Sequence, residues 1–97
     1  MFTDNLYTIE HKDENSITIK FNNKNHPIFK AHFPTEPVLP GYLNFDIVGD
    51  IFNIEIKAIK KAKFLKKILP NQVITYQRDV NKFKVFCEKE EVANFIL

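Results

Sequence analysis

One stretch, Tyr42 to Phe52, constrains the fold of this 97-residue chain more than any other. Tyr42, Leu43, Phe45, Ile47, Val48, Ile51 and Phe52 recur at helical spacing, yet they surround nearly the whole circumference rather than one stripe. A helix that is apolar all round must be covered on most sides. Asp46 and Asp50 lie four apart and share one face of it. A carboxylate on a buried helix needs a reason, because a charge is costly to remove from water.

The rest of the chain offers strands to supply that cover. Leu6 to Glu10 and Ser16 to Phe21 read as two strands around an Asp13-Glu14-Asn15 turn, with Ile17, Ile19 and Phe21 on one face. After Asn53 the period becomes two. Ile54, Ile56, Ala58, Ala62 and Phe64 point one way, and Glu55, Lys57, Lys61 and Lys63 the other, which predicts a long half-exposed strand. Leu69 to Gln72 is turn. Val73–Val80, Lys82–Glu88 and Val92–Leu97 follow as strands joined at Asn81 and at Lys89-Glu90-Glu91. Consecutive strands on short turns favour antiparallel pairing, and one helix against one such sheet is an α+β fold, expected here as one domain over residues 1–97. A sheet of this size leaves one side of the helix bare, which predicts a dimer.

Composition removes whole classes of function. No apolar run approaches the length of a membrane span. Met1 to Glu10 carries Asp4 and Glu10 and lacks the apolar segment of a secretory signal, so a cytoplasmic location is expected. Cys87 is the sole cysteine, so an internal disulfide and a cysteine-based zinc site are both excluded. Gly41 and Gly49 are the only glycines, which excludes glycine-rich dinucleotide and phosphate loops. No cofactor or metal is expected.

The net charge of +2 is unevenly spread. Lys57, Lys60, Lys61, Lys63, Lys66 and Lys67 fall in one short window without an acid, and the remaining eight basic residues are outnumbered by 12 acids. Such a segment is either a solvated face or a docking site for an acidic partner. It lacks the aromatic interleaving of a nucleic-acid platform, so neither nucleic acid nor membrane is an expected partner.

Four of the five prolines lie between His26 and Gly41. Proline fixes φ and pushes its predecessor toward extended geometry, so this stretch reads as an ordered loop without regular structure. His32 sits within it, feeding a helix start. An imidazole can serve as base near neutral pH. Asp46 follows on the helix as a candidate general acid in an apolar pocket. Gly41 opens the helix, where free N–H groups and the positive dipole end can hold a thioester carbonyl oxygen. Base, acid and oxyanion donor together suit proton abstraction beside a carbonyl.

The run His32-Phe33-Pro34-Thr35-Glu36-Pro37-Val38-Leu39-Pro40-Gly41, continued by a helix bearing Asp46, resembles the H-F-P-G-x-P-[VI]-[ML]-P-G motif of the FabA/FabZ-type β-hydroxyacyl-acyl carrier protein dehydratases. This family includes the aryl-polyene dehydratase branch. Lys61 to Pro70 is similar to the family's "KFLKPVLPGD"-like strand and turn. The resemblance covers Pro27 onward and implies a hot-dog fold, a long central helix wrapped by an antiparallel sheet. It also implies dehydration of a 3-hydroxyacyl thioester to the trans-2-enoyl thioester. By position, His32 matches the catalytic histidine, Asp46 the catalytic carboxylate and Gly41 the carbonyl-polarising glycine. The family takes its histidine and carboxylate from opposite subunits of a dimer. Phe33, Pro34, Val38, Leu39, Pro40, Tyr42 and Phe45 are the implied substrate-binding residues. Acidic acyl carrier protein gives Lys57, Lys61, Lys63, Lys66 and Lys67 a candidate partner. Ala31, Thr35 and Asp50 depart from the family's usual glycine, glycine and glutamine. The alternatives are a non-catalytic acyl- or carrier-binding hot-dog protein and a hot-dog thioesterase.

Overall fold

The computed structural model describes residues 4–31 and 36–97. The order of elements is β1 (Tyr7–Lys12), β2 (Ser16–Phe21), α1 (Pro27–Ala31), α2 (Leu43–Ile51), β3 (Lys61–Phe64), β4 (Val73–Asp79), β5 (Lys82–Cys87) and β6 (Glu90–Ile96). The strands form one antiparallel sheet in the order β1-β2-β4-β5-β6-β3. Strand alternation sets the core. Ile17, Ile19 and Phe21 of β2, Ile74 and Tyr76 of β4, Phe83 and Val85 of β5, and Ala93 and Phe95 of β6 are buried with Leu43, Ile47, Val48 and Ile51 of α2 in one cluster. Phe95 anchors its far end. Its ring stacks on Phe83 at 5.3 Å and meets Phe45 edge-on at 5.1 Å.

Two bulges bend the sheet. The β1–β2 register shifts between Ile9 and His11, and the β5–β6 register between Val85 and Phe86. In the second, Val92 and Ala93 are buried side by side where simple alternation would send one outward. The freed Val92 carbonyl accepts from the N–H groups of Leu65 and Lys66, at 2.8 and 3.1 Å, tying the segment after β3 to β6.

Several expectations are corrected. The central helix runs nine residues, from Leu43 to Ile51, and is not apolar all round in its setting. Leu43, Asn44, Ile47, Val48 and Ile51 are buried, while Tyr42, Asp46 and Asp50 are exposed. The helix ends in a Schellman motif: Asn53 turns left-handed at φ 53°, and the Ile54 N–H reaches back to the Gly49 carbonyl at 3.0 Å. The long strand expected after Asn53 shrinks to Lys61–Phe64, because β6 offers partners only from Ile96 to Ala93. Residues 54–60 have no regular structure, although Ile54 and Ile56 still pack against the core.

The Pro-rich stretch is not all loop, since Pro27 to Ala31 forms a short helix. Pro27 takes its first position, where the missing N–H costs nothing. The turn expected at Lys89 to Glu91 lies at Glu88-Lys89, and β6 begins at Glu90.

Candidate functional site

The start of α2 is tightened into 3₁₀ geometry. Leu43, Asn44 and Phe45 donate to the carbonyls of Pro40, Gly41 and Tyr42 at 3.0, 3.1 and 3.2 Å. Asp46 therefore stands in the first turn, on the open side of the helix. Its carboxylate is exposed, so the chain by itself does not supply the burial that the sequence suggests for Asp46 and Asp50. Both acids border a cavity of about 1160 Å³ whose apolar wall includes Phe45, Ile54 and Ile56.

Tyr7 reaches Asp50 from the edge strand. Its phenol, on β1, donates a hydrogen bond to Asp50 Oδ2. Burial, and then the Asp50 carboxylate, push the phenol well above its ordinary range, so the hydroxyl stays protonated as a donor. Nothing in the sequence signals this contact, because its partners are 43 residues apart.

His26 also borders the cavity, but its ring is occupied. Nδ1 accepts from the Ile28 N–H at 3.1 Å, which caps α1, and leaves Nε2 as the donor to the Asp4 carbonyl at 2.7 Å. This histidine is structural.

Gly41 opens elsewhere. It lines a separate cleft of about 340 Å³ with Leu39, Phe64, Lys66 and Lys67. A side chain at Gly41 would meet the Phe64 ring, since a Cβ there lies 3.1 Å from Cζ. Within one chain, then, Asp46 and Gly41 border different hollows. His32, Phe33 and Pro34 lie outside the described residues.

The other implied substrate residues are dispersed. Val38 and Leu39 are buried, the Leu39 N–H donating to the Ile68 carbonyl at 2.8 Å. Pro40 is half-buried, and Tyr42 is 59% exposed. Phe45 packs between Phe64 and Phe95 at the edge of the larger cavity.

Lys57, Lys61, Lys63, Lys66 and Lys67 are all exposed. Lys61 and Lys63 lie on edge strand β3, while Lys66 pairs with Glu90 at 2.8 Å and Lys67 with Glu36 at 3.1 Å. Two of these lysines are thus partly neutralised in place. Cys87 is half-buried, and desolvation followed by Glu88 and Glu90 raises its thiol, which disfavours the thiolate. Among the described residues no His, Cys, Asp or Glu cluster is suited to a metal, and no helix is long and apolar enough to cross a membrane.

Comparison with known proteins gives this arrangement its context. Residues 9–95 match the family model described as ApeI-like, ApeI dehydratase. The chain is 28% identical to a 3-hydroxyacyl-[acyl-carrier-protein] dehydratase FabZ of Clostridium botulinum, an alignment covering 87% of this chain and 67% of that protein. It is 30% identical to the FabZ of Clostridium novyi over 62% of this chain and 51% of the relative.

Among solved structures, the dehydratase heterocomplex ApeI:P from Xenorhabdus doucetiae superposes with a TM-score of 0.64 at 17% identity, covering 91% of this chain and 89% of that one. The E. coli PaaI protein of the phenylacetic acid degradation operon gives 0.60 at 14% identity, covering 97% and 82%. The chain belongs to the ApeI-like dehydratase family, a branch of the FabA/FabZ-type hot-dog dehydratases. The six-stranded antiparallel sheet around α2 fits that α+β fold.

Proposed function

We propose that the chain dehydrates 3-hydroxyacyl thioesters carried on acyl carrier protein, giving the trans-2-enoyl thioester and water. The observation that carries this reading is the position of Asp46, in the first turn of α2 on its open side and beside an apolar-walled cavity. His32 takes the proton from C2. The C2–H electron pair becomes the C2=C3 double bond, and the C3–O bond breaks as Asp46 passes a proton to the hydroxyl, which leaves as water. The Gly41 N–H holds the thioester oxygen as it gains charge. Phe33, Pro34, Val38, Leu39, Pro40, Tyr42 and Phe45 border the acyl path, and the exposed lysines of residues 57–67 receive the acidic carrier.

The separation of Asp46 from Gly41 favours a site shared by two chains, with Gly41 and His32 from one and Asp46 from the other. A homodimer is the simplest arrangement. The structural neighbour ApeI is part of a heterocomplex, which makes a second hot-dog chain the alternative complement.

The test is purified protein with 3-hydroxyacyl carrier proteins of several chain lengths, followed by mass spectrometry for loss of water. Conversion by the wild type, abolished in His32→Ala and in Asp46→Ala, is expected. No conversion in either direction at any chain length sinks the reading. Release of free thiol instead identifies a thioesterase.

A further inference from the structure

Beneath the start of α2 lies a polar chain, buried at Tyr76 and Asn44, that the dehydration chemistry does not use directly. Tyr76, at the centre of β4, donates its hydroxyl to Asn44 Oδ1 at 2.6 Å. Asn44 Nδ2 donates in turn to the Gly41 carbonyl at 3.1 Å. The same carbonyl accepts the Asn44 N–H, also at 3.1 Å. Tyr76 is wholly buried and Asn44 nearly so, in a cluster otherwise made of apolar side chains. Burial holds the Tyr76 hydroxyl far above its ordinary pKa, so it remains a donor.

An amide and a phenol inside an apolar core are costly unless every group is paired. An apolar pair of similar shape would serve packing alone, so the polar chain points to another role. Gly41 is the residue that most needs restraint, because without a Cβ its backbone is the freest of any. The Phe64 ring packs closely over its Cα, but that ring is 48% exposed and, being apolar, gives the Gly41 peptide groups no hydrogen bond to orient them. Two hydrogen bonds on one carbonyl fix the peptide that follows Gly41, and the preceding peptide, which carries the Gly41 N–H, is held through its Pro40 carbonyl by the Leu43 N–H at 3.0 Å; with both planes tied to α2, the Gly41 N–H is left one direction.

We infer that Tyr76 and Asn44 are positioning residues that set the orientation of the Gly41 backbone, and so aim its N–H at the thioester oxygen. The catalytic half of this inference rests on the dehydratase reading; the anchoring half does not.

The scarcity of glycine makes the anchor directly observable. Protein labelled with 13C at the glycine carbonyl gives two signals, from Gly41 and Gly49, and Gly49→Ala assigns them. In Asn44→Leu and in Tyr76→Phe the Gly41 signal should move while that of Gly49, bonded to the Ile54 N–H, stays. Turnover should fall roughly tenfold or more in kcat, with KM held within about twofold, as expected when an oxyanion donor is misaimed.

The double variant Asn44→Leu/Tyr76→Phe separates positioning from stability. Removing both polar partners leaves no buried group unpaired, so Tm should recover toward wild type. The Gly41 signal and kcat should remain displaced. A Gly41 signal that does not move in the single variants, or a double variant that regains kcat along with Tm, overturns the inference. If wild type converts no substrate, the dehydratase reading fails separately: a moving Gly41 signal then still supports the anchor, and an unmoved one overturns it.

Discussion

Tyr7 and Asp50 join the edge strand β1 to the open face of α2, one helical turn beyond Asp46. The phenol is held protonated there by burial and by the carboxylate it bonds. Tyr76, buried beneath the same helix, is likewise held protonated by its burial.

Both phenols have a folded pKa above their unfolded value near 10. A raised pKa means that the folded state keeps a proton the unfolded state releases. The stability it contributes is complete below pH ~10 and is lost as pH rises beyond that. Alkaline unfolding should therefore steepen above pH ~10, by up to about 1.4 kcal/mol per pH unit for the buried Tyr76 and by less for Tyr7, which solvent screens. Tyr7→Phe should remove one such increment. Urea midpoints measured across that range check it.

The β4–β5 hairpin turns on Val80-Asn81, and Val80 takes a φ of 57°. A β-branched residue is strained in the left-handed region, and this one is 79% exposed and packs little. Val80→Gly should stabilise the protein by about 1 kcal/mol, seen as a Tm higher by roughly 4–8 °C. Glu88 and Lys89, both with positive φ, form the next two-residue turn. Replacing them by Asn-Gly should act in the same direction.

Phe95 stacks on Phe83 and supports Phe45 at the cavity wall. Phe95→Ala should cost about 3–5 kcal/mol, a large share of the stability of a domain this small. Chemical denaturation gives the value directly.

Asp46 is exposed, so Asp46→Asn should leave stability within about 0.5 kcal/mol of wild type. Under the proposed dehydration turnover should nevertheless fall at least a hundredfold, because an amide cannot deliver the proton that the proposal assigns to Asp46. Paired Tm and kcat measurements separate the two effects.

Much of the fold was legible because period decides it. The alternation of Ser16 to Phe21 matches β2 residue for residue, and α2 differs from the expected helix by one residue at each end. The hairpin turns were legible in place, at Asn81 and beside Lys89, but not in geometry, since Val80, Glu88 and Lys89 are not turn-forming types and their positive φ values are imposed by the strands they join. β3 was overextended because periodicity reports exposure, not whether a neighbouring strand is there to pair. At the site, Gly41 and Asp46 stood out by motif, whereas the Tyr7–Asp50 and Tyr76–Asn44 bonds join residues 43 and 32 apart. No local pattern encodes such pairs.

Because Asp46 and Gly41 border different hollows of one chain, a shared site makes two crippled chains able to rescue each other. His32→Ala and Asp46→Asn subunits, each expected to be inert alone, should form on mixing a heterodimer in which one of the proposed sites draws both intact residues and the other draws neither. Random exchange then restores roughly a quarter of wild-type activity per chain. On dilution, activity should fade with the dimer, so that protein concentration itself becomes a control on the reaction.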